Sequence, residues 1–317
     1  MKRKSNYYLR LQNILLKINL TKKENITMAI TSLQLNMAAE KAIEAAVFGT
    51  SPLRFFATSF NKAESTKGAT IRVPIFNVGE SALFDAESNN YASGASGVSG
   101  VDITLNQHLV KSVSYTDRDF VECDVDFWTK AGAAIGRSLS RQAVKSIIGQ
   151  LNTTNVSATY EFGTTDAKDK DATAALYSVA ADADIYPANA VLVVKPSIYA
   201  SILAQLDTNV YGGEEAIRTG IVENLYGFKG VFASTELPEG VNGAIVHEEA
   251  IGIAGRPLTP AVEGAYPEFG TVTDEKTGFT IGFRKFTDLV SGENYLAGEM
   301  LYGSNLLQPK AAVLLVD

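Results

Sequence analysis

Few side chains in this sequence have both the type and the spacing for chemistry. One cysteine, Cys123, and two histidines, His108 and His247, are present. Cys123 stands between Glu122 and Asp124. Carboxylates beside a thiol oppose its ionisation, so a nucleophilic cysteine is disfavoured. A single cysteine also excludes an intramolecular disulfide and a multi-cysteine zinc site. Neither histidine lies in an H-E-x-x-H or C-x-x-C context, and each reads as a surface or core residue. Gly94-Ala-Ser-Gly-Val and Gly97-Val-Ser-Gly-Val miss the second glycine of a G-x-S-x-G nucleophile elbow. There is no G-x-x-x-x-G-K-[ST] phosphate loop, and no G-x-G-x-x-G follows a strand pattern. The densest acidic patch is Asp117, Asp119, Glu122, Asp124 and Asp126. Such carboxylates suit a hard cation, but the EF-hand register is absent. The patch precedes a long helical pattern, where negative charge complements a helix N-terminus, and that reading is favoured. Trp128 and the thirteen tyrosines are scattered without a stacking period for single-stranded nucleic acid. No catalytic, metal or cofactor-binding residue is assigned, and the chain is expected not to be an enzyme.

The chain that must position any site has 317 residues, 46% hydrophobic and 20% charged, enough for a substantial core. Its longest apolar run, 311–316, is far short of the roughly 20 residues of a membrane span, so no membrane partner is expected. Charge is unevenly spread. Residues 1–27 carry seven bases (Lys2, Arg3, Lys4, Arg10, Lys17, Lys22, Lys23) and one acid, Glu24; the remainder carries −13 of the total −7. An acidic body of this kind repels a nucleic-acid backbone over most of its surface. Polar residues break the apolar stretch of the arm, which argues against a signal peptide. A basic amphipathic helix touching nucleic acid, a partner or a membrane surface remains open. So does a plain upstream extension, with Met28 opening the fold.

Ser32 can cap a helix over 33–48, with Leu33, Met37, Ala38 and Val47, and alanines between them, on its apolar face and Gly49 as its stop. The apolar 53–56 segment beyond Pro52 must pack on something. Ile71, Val73 and Ile75 alternate with Thr70, Arg72 and Pro74, a half-buried strand whose proline predicts an edge or a bulge. A second strand is expected over 101–113. The Gly-, Ser- and Asn-rich stretch 77–100 between them is too long for an ordinary loop, which suggests a hairpin arm leaving the body. Phe127, Ala131, Ile135, Leu139, Ala143, Ile147 and Leu151 recur every fourth residue, predicting a helix of about 25 residues, roughly 37 Å long. Gly132 and Gly136, one turn apart, admit a close neighbour. Arg137, Arg141 and Lys145 form a separate cationic stripe. Residues 152–171 read as loop and 172–181 as a short helix. A buried strand at 190–194, a Pro-initiated helix to about 206, and strands at 230–234 and 243–247 suggest an α/β subdomain near 185–255. Alternation around Phe279, Ile281, Phe283 and Phe286, then Tyr295, Ala297, Glu299 and Leu301, then 311–316, reads as a terminal antiparallel sheet.

This order of elements resembles the major capsid protein of tailed bacteriophages, an α+β protein of the HK97-like fold. Gly68-Ala-Thr-Ile-Arg-Val-Pro-Ile-Phe looks like the strand entering that family's extended loop. Leu105-Asn-Gln-His-Leu and Ser114-Tyr-Thr-Asp117 look like its return, and 128–152 like the spine helix. Asn189-Ala-Val-Leu-Val-Val-Lys-Pro-Ser-Ile-Tyr resembles the axial-domain strand and helix. Gly220-Ile-Val-Glu-Asn-Leu-Tyr-Gly-Phe-Lys-Gly-Val, with 234–238 after it, resembles the Gly-rich turn before a V-x-x-S-x-x-L-P strand. The likeness spans 30–317. The basic arm, set at 1–30, lies outside it; within it the likeness implies an N-terminal helix region at 31–66, an extended loop at 67–112 and a peripheral domain with the spine helix at 113–184. An axial domain at 185–278 and terminal strands returning to the peripheral domain at 279–317 complete it.

By the same resemblance the chain is a non-enzymatic subunit. It self-assembles as hexamers and pentamers into an icosahedral virion head around double-stranded DNA, in the host cytoplasm. A separate scaffolding protein and a portal are the other expected partners; no cofactor is implied. Phe84 and Tyr91 in the extended loop, with Arg137, Arg141 and Lys145, are the expected intersubunit contacts. The family's Lys–Asn cross-link is not expected, because 68–110 contains no lysine. Two alternatives stand beside this reading: an encapsulin-like compartment shell of the same fold, and a secreted or surface α+β enzyme.

Overall fold

The computed structural model describes residues 26–29, 33–60, 70–76, 97–122, 127–205, 222–223, 225–258, 268–274 and 277–317. In chain order these form β1 (Ile26–Ala29), helix α1 (Leu33–Thr50), β2 (Ala57–Ser59), β3 (Thr70–Phe76) and β4 (Val98–Thr104). Next come β5 (Gln107–Tyr115), α2 (Asp117–Glu122), α3 (Phe127–Ile148), β6 (Thr159–Glu161) and α4 (Lys170–Asp182). Then follow β7 (Ala190–Val194), α5 (Pro196–Gln205), β8 (Val222–Glu223), β9 (Gly230–Ala233) and β10 (Val241–His247). The chain closes with β11 (Ile251–Arg256), β12 (Glu268–Asp274), β13 (Thr280–Thr287), β14 (Asn294–Leu306) and β15 (Ala312–Val316). Two compact units share them. The first takes the described residues of Met1–Arg54, Gln107–Val144 and Gly255–Tyr302; the second takes those of Phe55–Asn106, Lys145–Ala254 and Gly303–Asp317.

In the first unit β1, β12, β13 and β14 pair antiparallel in that order, and β5 also pairs with β14. Helix α3 lies against β14, where a Cβ on Gly298 would run into Ile135 and touch Leu139. Ala131, Ile135, Leu139 and Ala143 are all buried, as their four-residue spacing predicts. Ile135 and Leu139 contribute about 1.5–3 kcal/mol each by burial. The neighbour admitted by Gly132 and Gly136 is α1: a Cβ on either glycine would collide with the carbonyl of Ala38 or Ala42.

Three expectations are corrected in this unit. Helix α1 does not stop at Gly49 but continues to Thr50 and into a 3-10 turn at Ser51–Phe55. Gly49 serves packing instead, since a Cβ there would stand 2.6 Å from Ser140 Oγ. The buried face of α1 is Leu35, Ala38, Ala39, Ala42, Ile43 and Ala46, while Met37 and Val47 are half-buried. Close approach to α3 selects the alanines over the larger side chains that a hydrophobicity pattern favours. The basic arm does not end outside the fold at residue 27: Ile26–Ala29 form β1, in register with β12 from Ile26↔Asp274 to Ala29↔Thr271. Ser32, the expected cap, lies outside the described residues.

In the second unit a six-stranded sheet runs β6–β15–β10–β7–β9–β8. All five residues of β7 are buried, as an unbroken apolar run requires. Its core gathers Leu176 of α4, Leu192, Ile198 and Ile202 of α5, Phe228, Ile245, Val313 and Leu315. The last two correct the expected terminal antiparallel sheet. β15 leaves β13 and β14 and enters this sheet between β10, antiparallel, and β6, parallel. Ala-Val-Leu-Leu-Val is apolar on both faces and needs a central position covered on both sides. β6 itself falls within the expected loop 152–171.

The expected strand over 101–113 is two strands. Asn106 N–H donates to Thr104 O (3.0 Å) and breaks the run; β4 pairs with β3, whereas β5 joins β14. The β3–β4 ladder has seven pairs, from Thr70↔Thr104 to Phe76↔Val98, with Pro74 opposite Gly100. A two-stranded ladder leaves outward donors unused on both strands, which is where proline fits. Residues 77–96, the expected tip of the arm with Phe84 and Tyr91, lie outside the described residues. In this unit β2 also runs parallel to β11. The apolar 53–56 segment is packed, with Leu53 and Phe56 both buried. No described helix is long and apolar enough to cross a membrane.

Candidate functional site

The cationic stripe is on the surface. Arg137, Arg141 and Lys145 of α3 are all exposed, opposite the buried Ile135–Leu139–Ala143 line. Arg137 Nε donates to Ala133 O one turn back at 3.2 Å. The stripe can pair with anionic groups. Of the five residues expected at subunit contacts, the structure brings these three onto one exposed face; Phe84 and Tyr91 are not described.

At the start of α3 the fold builds a feature that sequence reasoning missed. Tyr115, Phe120, Phe127 and Trp128 meet with ring centroids 4.9–6.3 Å apart, mostly edge to face. Lys285 Nζ lies 5.1 Å from the Trp128 ring centre. Spacings of five, seven and one residues follow no period, so only the packing of β5, α2 and α3 reveals the cluster. Burial raises the Tyr115 phenol above its ordinary value.

The acidic patch is corrected in position. Asp117 and Asp119 open the separate short helix α2, not the long α3. Asp119 forms a reciprocal cap with Thr116: its carboxylate accepts from Thr116 N–H (2.9 Å) and Oγ1 (2.7 Å), and its own N–H donates to Thr116 Oγ1 (3.2 Å). These bonds hold the Asp119 carboxyl below the usual range. Asp117 accepts from Asn294 Nδ2 (2.8 Å), tying α2 to the start of β14. Cys123, Asp124 and Asp126 lie outside the described residues, among which no three His, Cys, Asp or Glu side chains group to hold a metal ion.

The remaining polar clusters are built into the sheet. Glu299, buried on β14, accepts from Arg284 Nε at 2.7 Å and meets the half-exposed His108 Nε2 at 3.4 Å. His247 Nδ1 accepts from the Glu249 N–H (3.3 Å) in the turn after β10. Arg54 pairs with Asp274 at 3.0 Å, and Thr277 donates to the same carboxylate at 2.6 Å. Each of these groups holds a strand or turn in place.

The sequence model of a family described as phage capsid protein matches residues 99–293, more than half of the chain. The chain belongs to the phage capsid protein family. It is a structural shell protein of the virion, and its α+β architecture is the HK97-like capsid fold. Among solved structures it is similar to the chain from Mycobacterium phage Che8, with 14% identity over 90% of this chain and 92% of that one, TM-score 0.56. The capsid of a native GTA particle gives 14% identity over 84% and 90%, TM-score 0.56. A virus-like particle from Pyrococcus furiosus gives 15% over 88% and 97%, TM-score 0.53. No curated protein matches the chain.

Proposed function

We infer that this capsid protein closes, as hexamers and pentamers of itself, into an icosahedral head around double-stranded DNA in the host cytoplasm. The observation that carries the reading is the family match across residues 99–293. Physical features support it. A body of charge −13 outside the arm does not grip the packaged genome. The seven-pair β3–β4 ladder leads into residues 77–96, too polar to make a core, so this arm reaches a neighbouring subunit through Phe84 and Tyr91. The stripe of Arg137, Arg141 and Lys145 faces another copy as well. The subunit works without catalysis, and a separate scaffolding protein and a portal complete the head.

Electron microscopy of the purified protein is the test. Closed particles of megadalton size are expected; a small oligomer as the end state overturns the reading. Deleting residues 79–96, which leaves the ladder intact, should give folded subunits that no longer close; normal particles from that deletion remove the arm from the scheme. A compartment shell of encapsulin type, built on the same fold, is the second reading. Protein cargo instead of DNA inside native particles decides for it.

A further inference from the structure

Four large apolar side chains of the first unit stand exposed on two segments that a hydrogen bond joins. Phe120 and Val121 on α2 are 40% and 82% exposed; Leu289 and Val290, in the turn between β13 and β14, are 93% and 96% exposed. Scattered exposed apolar residues are ordinary, but a cluster of them marks an interaction site. The turn that carries the second pair is fixed. The Asp288 carboxylate accepts from Val290 N–H (3.0 Å) and Ser291 Oγ (2.8 Å), and Gly292 N–H donates to Asp288 O (2.8 Å). Gly292 takes φ 71°, a conformation open to glycine. Asn294, at the foot of the turn, donates to Asp117 at the start of α2, so both apolar pairs belong to one piece of structure. The two segments that carry them, 117–122 and 288–293, hold Asp117, Asp119, Glu122, Asp288 and Glu293, with Arg118 their lone base.

A second copy meeting this surface with the same surface would set acid against acid. Among the described residues a complementary surface is the α3 stripe. Beside Arg137 and Arg141 the exposed Ala134 shares that face, and the aliphatic stems of arginine and lysine cover apolar surface while their heads meet carboxylates. Within one copy the two surfaces are apart. Arg137 stands ten residues along α3 from Phe127 of the aromatic cluster that seats α2, a rise of roughly 15 Å.

We propose that the acidic and apolar surface formed by α2 and the β13–β14 turn docks onto the Arg137–Arg141–Lys145 face of a second copy of this chain. The contact is head to tail, and contacts of this kind close into rings when the rotation allows. It rests on the reading of the chain as a self-assembling shell subunit. The apolar side chains supply the adhesion, and the charges select the partner face and steer the encounter.

Particle yield by sedimentation and electron microscopy tests it on the full chain, with thermal melts checking that each variant folds. The double variant Leu289→Asp/Val290→Asp and the double variant Arg137→Glu/Lys145→Glu should each stay folded and lose particles by roughly tenfold or more. Adding Glu122→Lys and Glu293→Lys to the stripe variant should restore most of the yield. Wild-type particles together with unimpaired variants overturn the contact alone, as does a swap that restores nothing, or a cross-link joining the two β13–β14 turns. If the wild type forms no particles, the shell reading falls and takes the contact with it.

Discussion

The carbonyl oxygen of Ala38 lies where a Cβ on Gly132 would have to be, and one turn later Ala42 stands in the same relation to Gly136. The obstacle is helix backbone, which cannot rotate away. Replacing a mid-helix glycine by alanine ordinarily gains about 1 kcal/mol of helix propensity. Here the overlap forces α1 from α3, and overpacking of this kind costs ~1–3 kcal/mol or more. Gly132→Ala and Gly136→Ala are therefore expected to be destabilising. A lower urea midpoint at unchanged slope checks this; a raised midpoint would show that the helices can separate freely.

Glu299 and Arg284 form an ion pair in the sheet, with side chains 7% and 20% exposed. Removing one partner leaves a buried charge, so Arg284→Met should destabilise by ~3–5 kcal/mol, less whatever His108 recovers. Arg284→Met with Glu299→Leu should come close to neutral, because an apolar pair needs no compensation there. A double-mutant cycle read by denaturant titration measures the coupling.

Acid should loosen the β13–β14 turn. The Val290 amide and the Ser291 hydroxyl hold the Asp288 carboxyl below its ordinary 3.8. A lowered value in the folded chain means the turn is supported in full above 3.8, and the support is lost as pH falls through the lower folded value. NMR titration of the Asp288 carboxyl carbon in unassembled subunits should give a midpoint under 3.8, and Asp288→Asn should remove the acid dependence of the turn. A midpoint above 3.8 refutes this.

Removal of the basic arm has a limit set by β1. A chain truncated to begin at Ile26 keeps all four residues paired with β12 and should remain soluble; one beginning after Ala29 bares the β12 edge and should self-associate. Size-exclusion chromatography separates the two outcomes. If the arm is processed, intact mass of particle-derived protein should correspond to a chain starting no later than Ile26, not at Met28.

Periodicity in the sequence is enough for the elements whose burial is one-sided or total. The four-residue spacing of Ala131, Ile135, Leu139 and Ala143 specifies α3 and, by exclusion, puts Arg137, Arg141 and Lys145 on its outer face. The unbroken run 190–194 specifies a central strand, because both faces must be covered. Neither pattern contains information about partners. β4 and β5 read as one strand, and β13, β14 and β15 as one sheet, because alternation records which face is wet and not which strand lies alongside. The alanines of α1 give a flat hydrophobic profile, so its buried face is decided by the two glycines of α3 across from it. The aromatic cluster at the head of α3 depends on how β5, α2 and α3 pack, and the link from α2 to the Leu289–Val290 turn depends on a hydrogen bond between segments more than a hundred residues apart, Asp117 to Asn294. The sequence by itself therefore determines which side chains must leave water. Only the tertiary structure decides which of them meet, because that depends on the distance between backbones, which no local pattern encodes.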